Sequence, residues 1–189
     1  MTSLTGSGVV VAKVTQRVDD LIVQVREAVR RGLPPESTAY LVAGCLASSL
    51  GARDLLIVEQ HEGHPDRYRQ HVLHAEEDGS FSIVALVWLP GQRTPIHDHV
   101  CWCVTGVHEG QELEHRYRLM TDGRTSRLVP TETVHNPTGS VVAFAPPGDI
   151  HQVCNGGSSK AISVHVYGAN VAQLGTSIRR VYDLPEGDR

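Results

Sequence analysis

Residues 91–110 read "GQRTPIHDHVCWCVTGVHEG". His97 and His99 stand one residue apart in a strand-like run, and Cys101 and Cys103 repeat that spacing. Successive side chains of a strand alternate faces, so the two imidazoles point the same way. A metal ion about 2 Å from each imidazole nitrogen fits this arrangement. An exposed pair on a surface strand fits it too. By the same alternation Asp98 faces the other side and is a poor direct ligand.

A second stretch favours the metal. "PPGDIHQVCN" at 146–155 carries the spacing Pro146-x-Gly148-x-x-His151-x-x-x-Asn155. This follows the second motif of the cupins. Gly91, His97, His99 and Gly110 fall on the first, G-x5-H-x-H-x3,4-E-x6-G. Over roughly residues 68–168 the chain therefore resembles the cupin family, whose small β-barrels hold a metal inside. The resemblance implies His151 as a third ligand. One position departs: the glutamate slot, four residues after His99, holds Cys103. The ligand set is then three neutral imidazoles. Without a carboxylate the divalent ion stays more electrophilic and suits an anionic ligand such as a thiolate.

The rest of the chain agrees with a mainly β fold, a cupin double-stranded β-helix (jelly-roll-like) barrel with N-terminal helices. Val14, Val18, Leu21, Ile22, Val25 and Val29 recur at helical steps over 14–31, closed by Gly32. Residues 34–51 read as a second helix, with prolines at its start and Gly51 after its end. Short β-rich runs follow at 69–74, 81–89, 99–107, 111–119, 125–134, 140–145, 150–154 and 161–167. Their number and spacing predict a sandwich or barrel. We expect one domain over 1–189: a helical segment 1–53, a barrel 54–168 and a C-terminal tail 169–189.

Composition narrows the function classes. The net charge is −4 and no basic stripe is present, which argues against nucleic acid. No apolar run is long enough to span a membrane, and the N-terminal residues lack the pattern of a signal peptide. The four cysteines form no CxxC pair and are expected as reduced thiols in the cytoplasm. Cupins often pair through their sheets, so a homo-oligomer stays open.

"AISVHVYGAN" at 161–170 holds Ser163, His165 and Tyr167 at one parity. Three polar groups turned into an apolar barrel need mutual hydrogen bonds, which favours a relay over plain alternation. HxH, a late third histidine, no motif glutamate and this SxHxY strand resemble the cysteine dioxygenase family of thiol dioxygenases. "FSIVALVWLPGQRTPIHDH" is similar to its bacterial branch that oxidises 3-mercaptopropionate. The resemblance implies iron, Fe(2+), on His97, His99 and His151, with O2 as co-substrate. Both oxygen atoms pass to a small thiol, giving a sulfinic acid. It also implies that Ser163, His165 and Tyr167 form the triad beside the metal, Tyr167 donating a hydrogen bond there. Rival readings are a cupin metalloenzyme acting on a non-thiol substrate, a zinc or nickel hydrolase, or a non-catalytic small-molecule-binding cupin.

In this family a strand before HxH holds the substrate carboxylate. Cysteine-specific members resemble Tyr-x-Arg and the mercaptopropionate branch Tyr-x-Gln. "DRYRQHVLH" gives Tyr68-x-Gln70, with Arg69 on the opposite face unless a bulge reverses the register. 3-Mercaptopropionate is thus expected ahead of cysteine. Cys101 and Cys103 share the histidines' parity and should both face inward unless a bulge intervenes. Cys101 reads as packing. Cys103 occupies the place where animal cysteine dioxygenases form a thioether with the triad tyrosine, here Tyr167. His61, His64, His71, His74, His108, His115 and His135 read as surface residues, with His71 beside the proposed carboxylate pocket.

Overall fold

The computed structural model describes residues 14–183; residues 1–13 and 184–189, the ends of the expected helical segment and tail, lie outside the described residues. Helix α1 spans Gln16–Arg30, and the Thr15 hydroxyl caps it by accepting the Val18 N–H at 3.2 Å. Helix α2 spans Pro35–Ala47, with proline in its first turn. It ends four residues earlier than expected, and the remainder forms turns through Gly51 at φ +73°. A 3-10 turn, Val58–His61, precedes the strands.

Among the described residues ten strands follow, in two antiparallel sheets. They are β1 (Arg69–Ala75), β2 (Ser82–Trp88), β3 (His97–His99), β4 (Cys103–Glu109) and β5 (Gln111–Asp122). Then come β6 (Thr125–Pro137), β7 (Val141–Phe144), β8 (His151–Cys154), β9 (Ala161–Tyr167) and β10 (Ile178–Val181). One sheet runs β1-β2-β9-β4-β7 and the other β10-β3-β8-β5-β6. This is the expected mainly β fold with N-terminal helices.

The first sheet is covered on both faces, which explains its continuous apolar strands. On β2, Ile83, Ala85 and Val87 pack with Val18, Leu21, Val25, Val42 and Leu46 of the helices. Their neighbours Val84, Leu86 and Trp88 join the barrel interior with Cys103 and Val153. Strand β9 is sorted the same way. Ile162, Val164 and Val166 face the helices, leaving Ser163, His165 and Tyr167 to point inward. Gly106 lets α2 settle on this sheet: a Cβ there would stand 2.9 Å from Leu46 Cδ2.

Two expectations change. The strand expected over 99–107 is two strands in different sheets, broken at 100–102. Parity therefore does not run from His99 to Cys103. Cys103 still faces inward, and Cys101, off the strand, packs half-buried against the same interior cluster. The stretch after 168 is also more than a tail. It contributes the short helix α3 (Val171–Leu174) and strand β10, which pairs with β3. Among the described residues no helix is long and apolar enough to cross a membrane.

Candidate metal centre

His97 and His99 come from β3 in the second sheet, and His151 from the neighbouring β8, directly opposite His97. One ring nitrogen from each lies within 4.8 Å of the others, and all three residues are buried. Each Nδ1 is already engaged. His97 Nδ1 meets the Pro95 carbonyl at 2.9 Å, His99 Nδ1 meets Asp149 Oδ2 at 3.0 Å, and His151 Nδ1 meets Glu114 Oε1 at 2.8 Å. These acceptors require Nδ1–H on every ring and leave three Nε2 lone pairs for one ion. The donor set thus fits a divalent transition metal, iron included.

Electrostatics keep the His97 and His99 rings neutral. Burial, aided by His151 and His99, brings His97 down to about 3. Burial also lowers His99, against the opposing pull of Asp149. Burial alone would raise the Glu114 carboxyl, but hydrogen bonds from His151 and Arg116 hold it at about 2. Its second oxygen accepts Arg116 Nη2 at 2.8 Å. Asp98 is turned away from the metal side, as alternation requires, and is held by Arg179 and by the Tyr182 hydroxyl at 2.8 Å.

The triad assembles from the opposite sheet. The Ser163 hydroxyl lies 2.9 Å from His165 Nε2, and the Tyr167 hydroxyl lies 3.0 Å from His165 Nδ1. Trp88 extends the chain by donating its indole N–H to Ser163 Oγ at 3.0 Å. Burial, with the neighbouring imidazoles, holds His165 at about 3, so it is neutral. Burial raises the Tyr167 phenol well above its usual range. His165 and Tyr167 share one cavity with the three metal-site histidines.

Tyr68 and Gln70 line that same cavity. The Tyr68 ring packs on Trp88 with centroids 4.5 Å apart. Arg69 points outward and meets Glu62 Oε2 at 3.2 Å. The bulge in β1 lies beyond this point, between Val72 and His74, so the alternation at 68–70 is intact. His71 also faces out, its Nε2 3.1 Å from the Glu62 carbonyl. His108 departs from its expected surface position. It is buried, and its Nδ1 accepts the Gly51 N–H at 3.2 Å.

Sequence reasoning did not single out Glu114, Asp149 or Trp88, nor Ser177, which lines the cavity and hydrogen-bonds with Tyr167. On β5, the fold turns Glu112 and Glu114 of "ELEHR" inward, where both are buried. Asp149 lies in the loop before β8, and only the fold brings it to His99 on β3.

A double-stranded β-helix protein from Klebsiella pneumoniae is 20% identical, with 63% of this chain and 91% of that one covered and a TM-score of 0.47. A cupin 2 conserved barrel protein from Salinispora arenicola is 21% identical, with 61% and 88% covered and a TM-score of 0.42. The family model described as cysteine dioxygenase type I matches residues 9–176. That family's chemistry is iron-dependent dioxygenation of a thiol, and the three-histidine group is present for it. Matched over most of its length, this chain belongs to the type I cysteine dioxygenase family.

Proposed function

We propose that this protein oxidises 3-mercaptopropionate, ahead of cysteine, to its sulfinic acid. Support comes first from the wall of the cavity. Among the described residues, no Arg, Lys, Asp or Glu side chain lines it. Tyr68, just before β1, and Gln70, on it, offer neutral donors to a carboxylate from one wall of the cavity. Burial raises the Tyr68 phenol, which keeps it a donor. A substrate ammonium would lose its water without gaining an acidic partner, which counts against cysteine.

Iron(II) held by the three histidines supplies redox chemistry with O2 and favours the thiolate over the thiol. The protein's own groups do the positioning. Tyr68 and Gln70 fix the carboxylate end of the substrate. Tyr167 presents its hydroxyl to the cavity, with its orientation set by His165 and, behind it, Ser163. The interior cluster of Leu86, Trp88 and Val153 limits water around the reacting sulfur. We place the protein in the cytoplasm, where small thiols stay reduced.

The test is thiol-dependent oxygen uptake by the iron-loaded protein, compared as kcat/KM. A higher value for 3-mercaptopropionate is expected. A higher value for cysteine would overturn the substrate assignment, and no uptake with either thiol would overturn the thiol reading for this chain.

A further inference from the structure

Behind the triad lies a carboxyl that the reaction as described does not use. Glu112, on β5, is 3% exposed. Its carboxyl interacts with both the Ser163 hydroxyl and the Trp88 indole, and burial raises it to about 7. Its Oε1 has no hydrogen-bond partner. The titratable groups that bear on it are Glu114 on its own strand and Cys154 on β8. Asn136, opposite on β6, is buried and neutral. His165 is one hydroxyl away, through Ser163.

We propose that Glu112 is a fourth member of the relay, a positioning residue whose protonation state sets the direction of every hydrogen bond up to Tyr167. The inference deepens the thiol dioxygenase reading and rests on it for its catalytic meaning only. Counting donors makes the case. Ser163 Oγ has one proton to give and two lone pairs, one of which takes the Trp88 N–H. When Glu112 is neutral, its O–H fills the second lone pair. Ser163 must then donate to His165 Nε2, so the neutral imidazole carries its proton on Nδ1 and donates to Tyr167. The Tyr167 O–H is left free to point into the cavity. When Glu112 is ionised it accepts from Ser163 instead. The second lone pair of Ser163 then takes a proton from His165 Nε2, and His165 Nδ1 accepts the Tyr167 O–H. The phenol proton is now turned away from the metal side. No bond to carbon or sulfur changes; one proton enters or leaves at Glu112, and the others shift along existing hydrogen bonds.

The test reads the His165 tautomer directly. Protein with 15N-labelled histidine is loaded with zinc(II), a diamagnetic ion that three imidazoles also hold. Nitrogen shifts are followed from pH 5.5 to 8.5. The expected result is a change of His165 from the Nδ1–H to the Nε2–H tautomer with a midpoint near 7. Glu112→Gln, whose amide can only donate or accept without titrating, should abolish the transition. Ser163→Ala, which cuts the link at a second point, should abolish it too. A single His165 tautomer across the range, or a transition that survives in both variants, would overturn the proposal. Oxygen uptake is measured separately on the iron-loaded protein. Activity of the unsubstituted protein should fall as pH rises through the same midpoint, and Glu112→Gln should lack that limb. A tautomer switch without thiol-dependent uptake would sink the thiol reading and leave the relay standing.

Discussion

Cys103 and Tyr167 are direct partners across β4 and β9, both turned into the barrel interior. Residues so paired hold their Cβ atoms about 4.5–5.5 Å apart. The Cys103 thiol is fully buried, burial raises its pKa well above the usual range, and it bears electrostatically on the phenol. Its partner on the other side, across β7, is Phe144, so Tyr167 is the one phenol directly opposite the thiol. We therefore expect turnover with O2 to join Cys103 Sγ to the Tyr167 ring, each partner losing one hydrogen. Intact mass after turnover should fall by two hydrogens, and Cys103→Ser should show no loss. An unchanged mass in the active protein would exclude the bond.

Glu114 should govern metal affinity without touching the metal. Its oxygen fixes the His151 ring at 2.8 Å. Glu114→Ala frees that ring and should weaken metal binding by about 10–100-fold. Glu114→Gln keeps an acceptor in place and should lose less. Competition for the ion with a chelator gives the comparison. Equal affinity in all three proteins would show that Glu114 plays no part.

Gln70 should act on the substrate carboxylate alone. Gln70→Ala removes one hydrogen bond, worth about 1 kcal/mol, and should raise KM for 3-mercaptopropionate by about fivefold with kcat nearly unchanged. A thiol of similar length without a carboxylate should be unaffected. An equal change for both thiols would place the effect elsewhere.

The metal-free protein should lose stability in acid. His97 and His165 are each held near 3 in the fold, against 6.5 for a free imidazole. Between these values the unfolded chain binds protons that the folded one does not, so stability rises with pH. Glu112 works in the opposite sense between 4.5 and about 7, because its folded form binds the extra proton. His97 and His165, with His99 lowered in the same sense, outweigh Glu112 and leave a net loss from pH 6.5 down to pH 5. The urea midpoint should fall over that range, and Glu112→Gln should steepen the fall. A flat midpoint would contradict the neutral, buried histidines.

Much of the site was legible in the sequence because it depends on local alternation. His97 and His99 share a face at a two-residue step, and so do Ser163, His165 and Tyr167, because a strand repeats every second residue. Tyr68, just before β1, and Gln70, on it, line the cavity together, with Arg69 sent outward. The spacing around Gly91 and Gly110 was enough to find the barrel, since both turns need positive φ. What alternation cannot carry is a break between sheets. The chain leaves one sheet at His99 and enters the other at Cys103, so no parity count crosses residues 100–102. Only the tertiary structure decided that the acidic face of β5 turns inward, placing Glu114 on His151 and Glu112 behind Ser163. An acidic residue on a strand is ordinarily stable in water, and its burial depends on partners from β8, β9 and β2 that are distant in sequence. The sequence by itself determined which side chains share a strand face; the closing of two sheets on one another decided which of those faces meet.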